Sequence, residues 1–297
     1  MKRLILVLGL VFGVTAQAGS GLERAPVDGG HLIYQERGDG EAIVMVHGAL
    51  VADSYIPVMD QPALSDHRLV RYQRSGYADS ATLDIAPEAF LERAVADAIG
   101  LLDHLDIERA HFVGHSSGAV IAMELALRAP ARVHSLVLLE PPMMAVPAAD
   151  QLMERIDYAG SHFEAGDAEA AVDAFLSRLA RPEWREIEEV VPGGVDQAIG
   201  DADTFFALEL PGLAEFEFDR ERAARLTQPA LYVLGSESSG MAGADGYFEQ
   251  GKALLLDKLP NAESVTLDGV NHTLQMGYPE RVAPVIAEFV TRHPIQK

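Results

Sequence analysis

The sequence predicts an α/β fold in which a mostly parallel sheet carries helices on both faces. Three observations predict it. Apolar runs of strand length alternate with segments of helical periodicity, as right-handed crossover units require. Several of these runs are near-continuous in apolar character, which suits strands covered on both faces. One run ends in Gly114-His115-Ser116-Ser117-Gly118, and a helix-patterned segment begins at once after it. That is the strand–turn–helix setting of a nucleophile elbow, where small residues must flank a serine held in a sharp turn.

Taken in order, residues 19–30 read as an irregular lead-in, and His31–Glu36 as an edge strand closed by Gly38-Asp39-Gly40. Ala42–Val46 is a continuous apolar run ending at His47-Gly48, and Arg68–Tyr72 is the next strand. Leu91, Val95, Ile99, Leu102 and Leu105 recur at helical spacing, so a helix is expected over about Pro87–Leu105. The elbow strand follows, then a helix over about Gly118–Ala129, stopped near Pro130. Val133–Leu139 is another apolar strand, ended by Glu140-Pro141-Pro142. From Met143 to about Arg225 nothing resembles a parallel strand, and the periodic pieces, such as Asp167–Ala180 and Asp196–Leu210, read as helices. This region is expected to form a helical lid or cap. Strand character resumes at Ala230–Leu234, followed by a glycine-rich loop, a helix near Phe248–Leu259, a short strand near Ser264–Leu267 and a last helix over Pro279–Arg292.

The amino terminus carries Met1-Lys2-Arg3, an apolar run over 4–14 and Ala16-Gln17-Ala18. This reads as a secretory signal peptide over residues 1–18, so the mature protein is expected to be exported, to the periplasm or beyond. The apolar run is shorter than the ~20 residues a spanning helix needs, so no stable membrane insertion is expected after cleavage. There are no cysteines, which excludes disulfides, thiolate catalysis and cysteine-based metal sites. A formal net charge of −22, from 45 acidic and 23 basic residues, argues against nucleic acid, anionic lipid and strongly anionic substrates. The expected partner is a small neutral or apolar molecule.

Ser116 is the candidate nucleophile. A serine hydroxyl is weak at neutral pH and needs an adjacent base, and histidine titrates in the working range. Among the ten histidines, His272 sits in the loop between the last strand and the final helix; His47, His115 and His162 are the other loop candidates.

The ordered set of His47-Gly48, Arg74-Ser75-Gly76-Tyr77-Ala78-Asp79-Ser80, the elbow and Gly269-Val270-Asn271-His272 resembles the serine hydrolases of the α/β-hydrolase superfamily, over the whole mature chain. The resemblance implies an eight-stranded, mostly parallel sheet with the helical cap inserted after the sixth strand, so the core comprises residues 19–142 and 226–297 and the cap 143–225. Carried onto these residues, it makes Ser116 the nucleophile, His272 the base and later acid, and the backbone N–H groups of Ala49 and Ser117 the oxyanion hole.

The acid departs from the family pattern. Most relatives carry an aspartate three residues after the glycine that closes the seventh strand; here that glycine is Gly235 and the position holds Ser238. Two glutamates preserve the chain order: Glu237 in the same loop and Glu140 directly after the sixth strand, where certain haloalkane dehalogenases place theirs. Glu140 is preferred, because a carboxylate behind a strongly apolar strand is costly if buried without a partner; Asp245 is a third choice. The dehalogenase likeness ends there, since those enzymes use an aspartate nucleophile. A second departure, at Gln73-Arg74-Ser75-Gly76, puts local hydrogen bonding in question rather than the reaction.

The expected reaction is hydrolysis of a carboxylic ester through a serine acyl-enzyme, with no metal and no cofactor. Amide hydrolysis of the aminopeptidase type is the alternative, with the acidic residues Glu183, Glu186, Glu188 and Glu189 attracting an amine. A non-catalytic binding protein that has kept the fold is the rival from outside enzymology.

Overall fold

The computed structural model describes residues 21–179, 184–238 and 246–295. The signal peptide expected over residues 1–18 and the third candidate acid, Asp245, lie outside the described residues. Eight strands form one sheet: β1 (Glu23–Val27), β2 (Gly30–Arg37), β3 (Ala42–Val46), β4 (Arg68–Gln73), β5 (Ala110–His115), β6 (Val133–Leu139), β7 (Ala230–Gly235) and β8 (Ala262–Leu267). Their spatial order is β1-β2-β4-β3-β5-β6-β7-β8. The pairs β1/β2 and β2/β4 are antiparallel and all others are parallel.

The near-continuous apolar runs are explained by what covers them. Successive residues of β3 alternate between two cores: Ala42, Val44 and Val46 face one, Ile43 and Met45 the other. The first core is completed by α2 (Phe90–His104) and α3 (Ser117–Arg128). The second lies under three helices, two of them near the carboxyl terminus. A short helix, α1 (Ile56–Met59), belongs to this second side. Among the described residues no helix is long and apolar enough to cross a membrane.

Between β6 and β7 the chain leaves the sheet and builds the cap. It contains α4 (Ala149–Glu164), α5 (Ala168–Leu179), α6 (Gly194–Gly200), α7 (Leu210–Leu213) and α8 (Arg220–Arg225). After β7 come α9 (Tyr247–Lys258), then β8, α10 (Leu274–Gly277) and α11 (Pro279–Arg292).

Three expectations are corrected. The lead-in is not irregular: Glu23–Val27 is an added antiparallel strand, so β2 is internal rather than the edge. Only Ala25 of β1 is buried, and Pro26 is tolerated because an edge strand has one unpaired side; so short and half-exposed a strand leaves little hydrophobic pattern. The single helix expected over Asp196–Leu210 is three pieces, in which α6 ends at Gly200, a π-helical turn spans Thr204–Glu209, and α7 begins with Pro211 in its first turn. The helix expected from Pro87 begins as a 3-10 turn, Pro87–Ala89, and becomes α-helical at Phe90.

Candidate active site

The site lies along the carboxyl-terminal edge of the parallel strands, where open α/β sheets bind their ligands. The register puts its parts in one row. Val46 pairs with Gly114, Gly114 with Leu138, and Leu138 with Tyr232. The loops that follow these strands, carrying His47-Gly48-Ala49, Ser116, Glu140 and Ser236-Glu237-Ser238, therefore leave the sheet side by side.

Ser116 stands between β5 and α3 at φ 51°, ψ −124°. A non-glycine residue held there is strained, and such strain persists only where the surroundings over-determine it. The surroundings here are explicit. The Ser116 N–H donates to Leu139 O at 2.8 Å, and the Ala119 N–H donates to Ser116 O at 2.9 Å. A Cβ on Gly114 would lie 2.5 Å from Ala119 Cα, and one on Gly118 would lie 2.2 Å from Val46 O. Both glycines are thus required by close backbone approach. Glu140 also has positive φ, at 49°, so a non-glycine residue with positive φ stands directly after both β5 and β6.

His272 lies in the loop after β8. Asn271 shapes that turn, its Oδ1 accepting from both Thr273 N at 2.9 Å and Thr273 Oγ1 at 2.7 Å. The ring of His272 stacks on Phe248 with centroids 4.7 Å apart. His115 Nε2–H donates to the His272 carbonyl at 2.8 Å, so the elbow histidine braces the loop. His272 Nδ1 lies 2.6 Å from Glu140 Oε2, and the other carboxylate oxygen accepts the Gly235 N–H at 2.7 Å. Glu140 is fully buried and His272 nearly so. With Nδ1–H directed at the carboxylate, Nε2 is left with its lone pair. Glu237, by contrast, is exposed, and its backbone N–H bonds Val270 O at 2.9 Å. Ser238 is buried and its hydroxyl has no partner among the described residues.

The other candidate histidines are otherwise engaged, and two of them are not in loops as expected: His115 ends β5 and His162 lies within α4. His47 Nδ1–H donates to Gly48 O at 2.7 Å, and its Nε2 accepts the Arg74 N–H at 3.0 Å. His162 packs edge-on against Tyr158 in the cap. The Ser117 N–H belongs to the first turn of α3, where helix donors lack intrahelical partners. Gly48 approaches the elbow so closely that a Cβ there would lie 3.1 Å from Ser116 Cβ, and Ala49 follows it.

The altered Gln73-Arg74 segment is bonded in part, with Arg74 Nε, Arg74 Nη1 and Ser75 Oγ left without partners among the described residues. Gln73 Nε2 donates to Asp53 Oδ1 at 3.0 Å, and its Oε1 accepts the Asp79 N–H at 3.1 Å. Arg74 Nη2 reaches Gly48 O at 2.9 Å and Glu209 Oε2 at 2.9 Å, and Tyr77 Oη also donates to Glu209. Glu209 belongs to the cap, so a buried ion pair fastens the cap to the loop that bears Ala49. Sequence reasoning missed this clamp, since 135 residues separate its partners. The bracing roles of His115 and Phe248 were missed as well. The unusual Gln73-Arg74-Ser75-Gly76 stretch is the hint the sequence offers.

Beneath the cap a cavity of about 270 Å³ opens on Ser116, Ser117 and His272. Met144, Phe175, Phe205 and Phe216 are among its cap walls, whereas Met143, Phe163 and Phe206 do not line it. None of its described lining residues is an aspartate, glutamate, lysine or arginine.

The family model described as the alpha/beta hydrolase family matches residues 43–285. The chain belongs to the alpha/beta hydrolase family. This hydrolase-family chain is 28% identical over 297 residues to the dihydrolipoyllysine-residue acetyltransferase component of the acetoin cleaving system of Pseudomonas putida, covering 95% of this chain and 72% of that one. It is 26% identical over 263 residues to the pimeloyl-(acyl-carrier protein) methyl ester esterase of Aeromonas salmonicida, covering 85% of this chain and 96% of that one. Among solved structures, a thermophilic esterase from Thermogutta terrifontis superposes with a TM-score of 0.74 at 20% identity, over 92% of this chain and 100% of that one, a likeness of fold.

The buried imidazoles give the fold a pH dependence. Burial holds His47 and His115 well below their ordinary 6.5, and pushes His111 down to about 4. A depressed pKa gives stability that is present above the unfolded value and lost as pH falls toward the folded one. Asp201, raised by burial to about 6, opposes this by binding its proton first in the folded state. Burial also lowers His134 and raises Asp97; four imidazoles outweigh two carboxyls, so the unfolding temperature should drop between pH 7 and pH 5 in calorimetry. A constant or rising value would contradict this balance.

Proposed function

We propose that this chain is an exported serine hydrolase that cleaves neutral carboxylic esters. The observation that carries the proposal is the 2.6 Å contact between His272 Nδ1 and the buried Glu140 carboxylate, beside a serine in an elbow turn that opens on the same cavity as His272. In this reading His272 Nε2 takes the Ser116 proton as the hydroxyl attacks the ester carbonyl. The Ala49 and Ser117 N–H groups stabilise the oxygen that becomes negative. The alcohol leaves with the proton from His272. Water then repeats the sequence, freeing the acid and regenerating Ser116. Glu140 holds the imidazole tautomer and stabilises its charged form.

The apolar, uncharged cavity supports an ester over a peptide amine. Glu188, one of the acidic residues in the amide reading, is occupied in bonding Gly193 N and Val195 N, and neither Glu186 nor Glu189 lines the cavity; Glu183 lies outside the described residues. The Aeromonas relative's name as a methyl ester esterase points the same way. The test is hydrolysis of p-nitrophenyl butyrate against an amino-acid arylamide. Ester turnover should exceed amide turnover by at least about a hundredfold; arylamide turnover equal to or above it would overturn the ester assignment.

A further inference from the structure

Two chambers of unequal size open on the elbow serine. The cavity of about 270 Å³ and a second of about 50 Å³ both reach Ser116 and His272. One further residue lines both of them: Phe175, in α5 of the cap. Its neighbours show where it stands. Leu176, next along α5, lines the smaller chamber and not the larger, whereas Phe205 lines the larger and not the smaller. The Phe175 ring packs on Phe205 with centroids 4.5 Å apart and meets Phe206 edge-on at 6.3 Å. Phe175 is buried, so its ring is held by aromatic neighbours at the boundary of the two chambers. The chambers meet over Ser116 and His272 and part at Phe175.

We propose that Phe175 is a specificity-determining residue that divides the space above Ser116, so that the enzyme selects esters with one long and one short uncharged arm. The inference rests on the ester-hydrolase reading. The two arms of an ester diverge from the carbonyl that Ser116 attacks, so each chamber receives one. An apolar cavity of about 150 Å³ holds one benzene, which allots about 25 Å³ to each non-hydrogen atom. On that scale the larger chamber takes an arm of about eleven non-hydrogen atoms and the smaller an arm of about two. No described lining residue of either chamber is an aspartate, glutamate, lysine or arginine, so a charged arm would be buried without a partner. An ester with two arms of middle length overfills the smaller chamber and underfills the larger, and overfilling a packed site is costly.

The test is a set of three isomeric esters: ethyl decanoate, decyl acetate and hexyl hexanoate. They share one composition and differ in how the carbons are divided between the arms. The wild type should favour ethyl decanoate or decyl acetate over hexyl hexanoate by about tenfold or more in kcat/KM, the scale on which an apolar pocket discriminates by size. The favoured isomer tells whether the acyl chain or the alcohol occupies the larger chamber. In Phe175→Ala the two chambers become one, and the ratio should fall toward one through faster turnover of hexyl hexanoate. Phe175→Leu should lower the ratio in part, and it carries the comparison if the alanine variant fails to fold. Equal rates on the three isomers in the wild type, or a preference for hexyl hexanoate, would overturn the division of the site. Equal slowing of all three in the variants, with the ratio kept, would overturn the role of Phe175. If p-nitrophenyl butyrate is hydrolysed while the isomers are not ranked in this way, this inference alone fails. If no ester is hydrolysed, the ester-hydrolase reading fails with it.

Discussion

Replacing Glu140 by glutamine should lower kcat for ester hydrolysis by about 10⁴, the scale seen when a triad carboxylate is neutralised in place. The reason is geometric. Both oxygens of the Glu140 carboxylate are committed, one to Gly235 N–H and one to His272 Nδ1. A glutamine keeps the shape but supplies only one acceptor oxygen. Its other terminus is an NH₂, which must face either the Gly235 donor or the imidazole. If it faces the imidazole, Nδ1 becomes the acceptor and the proton moves to Nε2, the atom required to receive the serine proton. If it faces Gly235, two donors oppose each other in a fully buried site. Glu237→Gln changes an exposed side chain, and kcat should stay within about twofold. Single-turnover rates for the two variants check this, and a collapse in Glu237→Gln alone would reverse the assignment.

Glu209→Leu should destabilise the fold by about 3–5 kcal/mol, the usual cost of removing one partner from a buried ion pair. Arg74 is 3% exposed, and its Nε and Nη1 already lack partners among the described residues. Without Glu209, the Gly48 carbonyl is the one hydrogen-bond acceptor left to the guanidinium among the described residues, and Tyr77 loses its acceptor. The damage should extend to the substrate, because Phe205 and Leu210 flank the clamp in the cap and line the main cavity. Denaturant titration should show the loss, with a raised KM for apolar esters. The Arg74→Met/Glu209→Leu double variant should regain much of the stability, since replacing a whole buried pair by apolar groups is often close to neutral. A single variant as stable as the wild type would contradict the clamp.

What was legible in the sequence follows from how local each feature is. The strands β3, β5, β6 and β7 announce themselves because each is covered on both faces and needs apolar residues throughout. The elbow is legible because its two glycines answer to close contacts with residues a few positions away or on the adjoining strand. β1 was invisible because it buries one side chain at a sheet edge. The cap pieces around Gly200 and Pro211 were blurred because one apolar periodicity runs across their breaks. The contacts that join Glu140 to His272 and Arg74 to Glu209 cross 132 and 135 residues, and spacing along the chain carries no trace of them. Glu140 drew attention only because a carboxylate behind an apolar strand demands a partner. Ser238 showed where the family's usual acid was missing, but not where its replacement stood.

The central claim is that Ser116 is a nucleophile activated by His272. Its most direct test is mass spectrometry of the intact and digested protein after exposure to a fluorophosphonate, which reacts with an activated serine. A single stoichiometric adduct is expected on Ser116, absent in Ser116→Ala and strongly slowed in His272→Ala. An unlabelled wild type, or an adduct on another residue with Ser116 untouched, would contradict it.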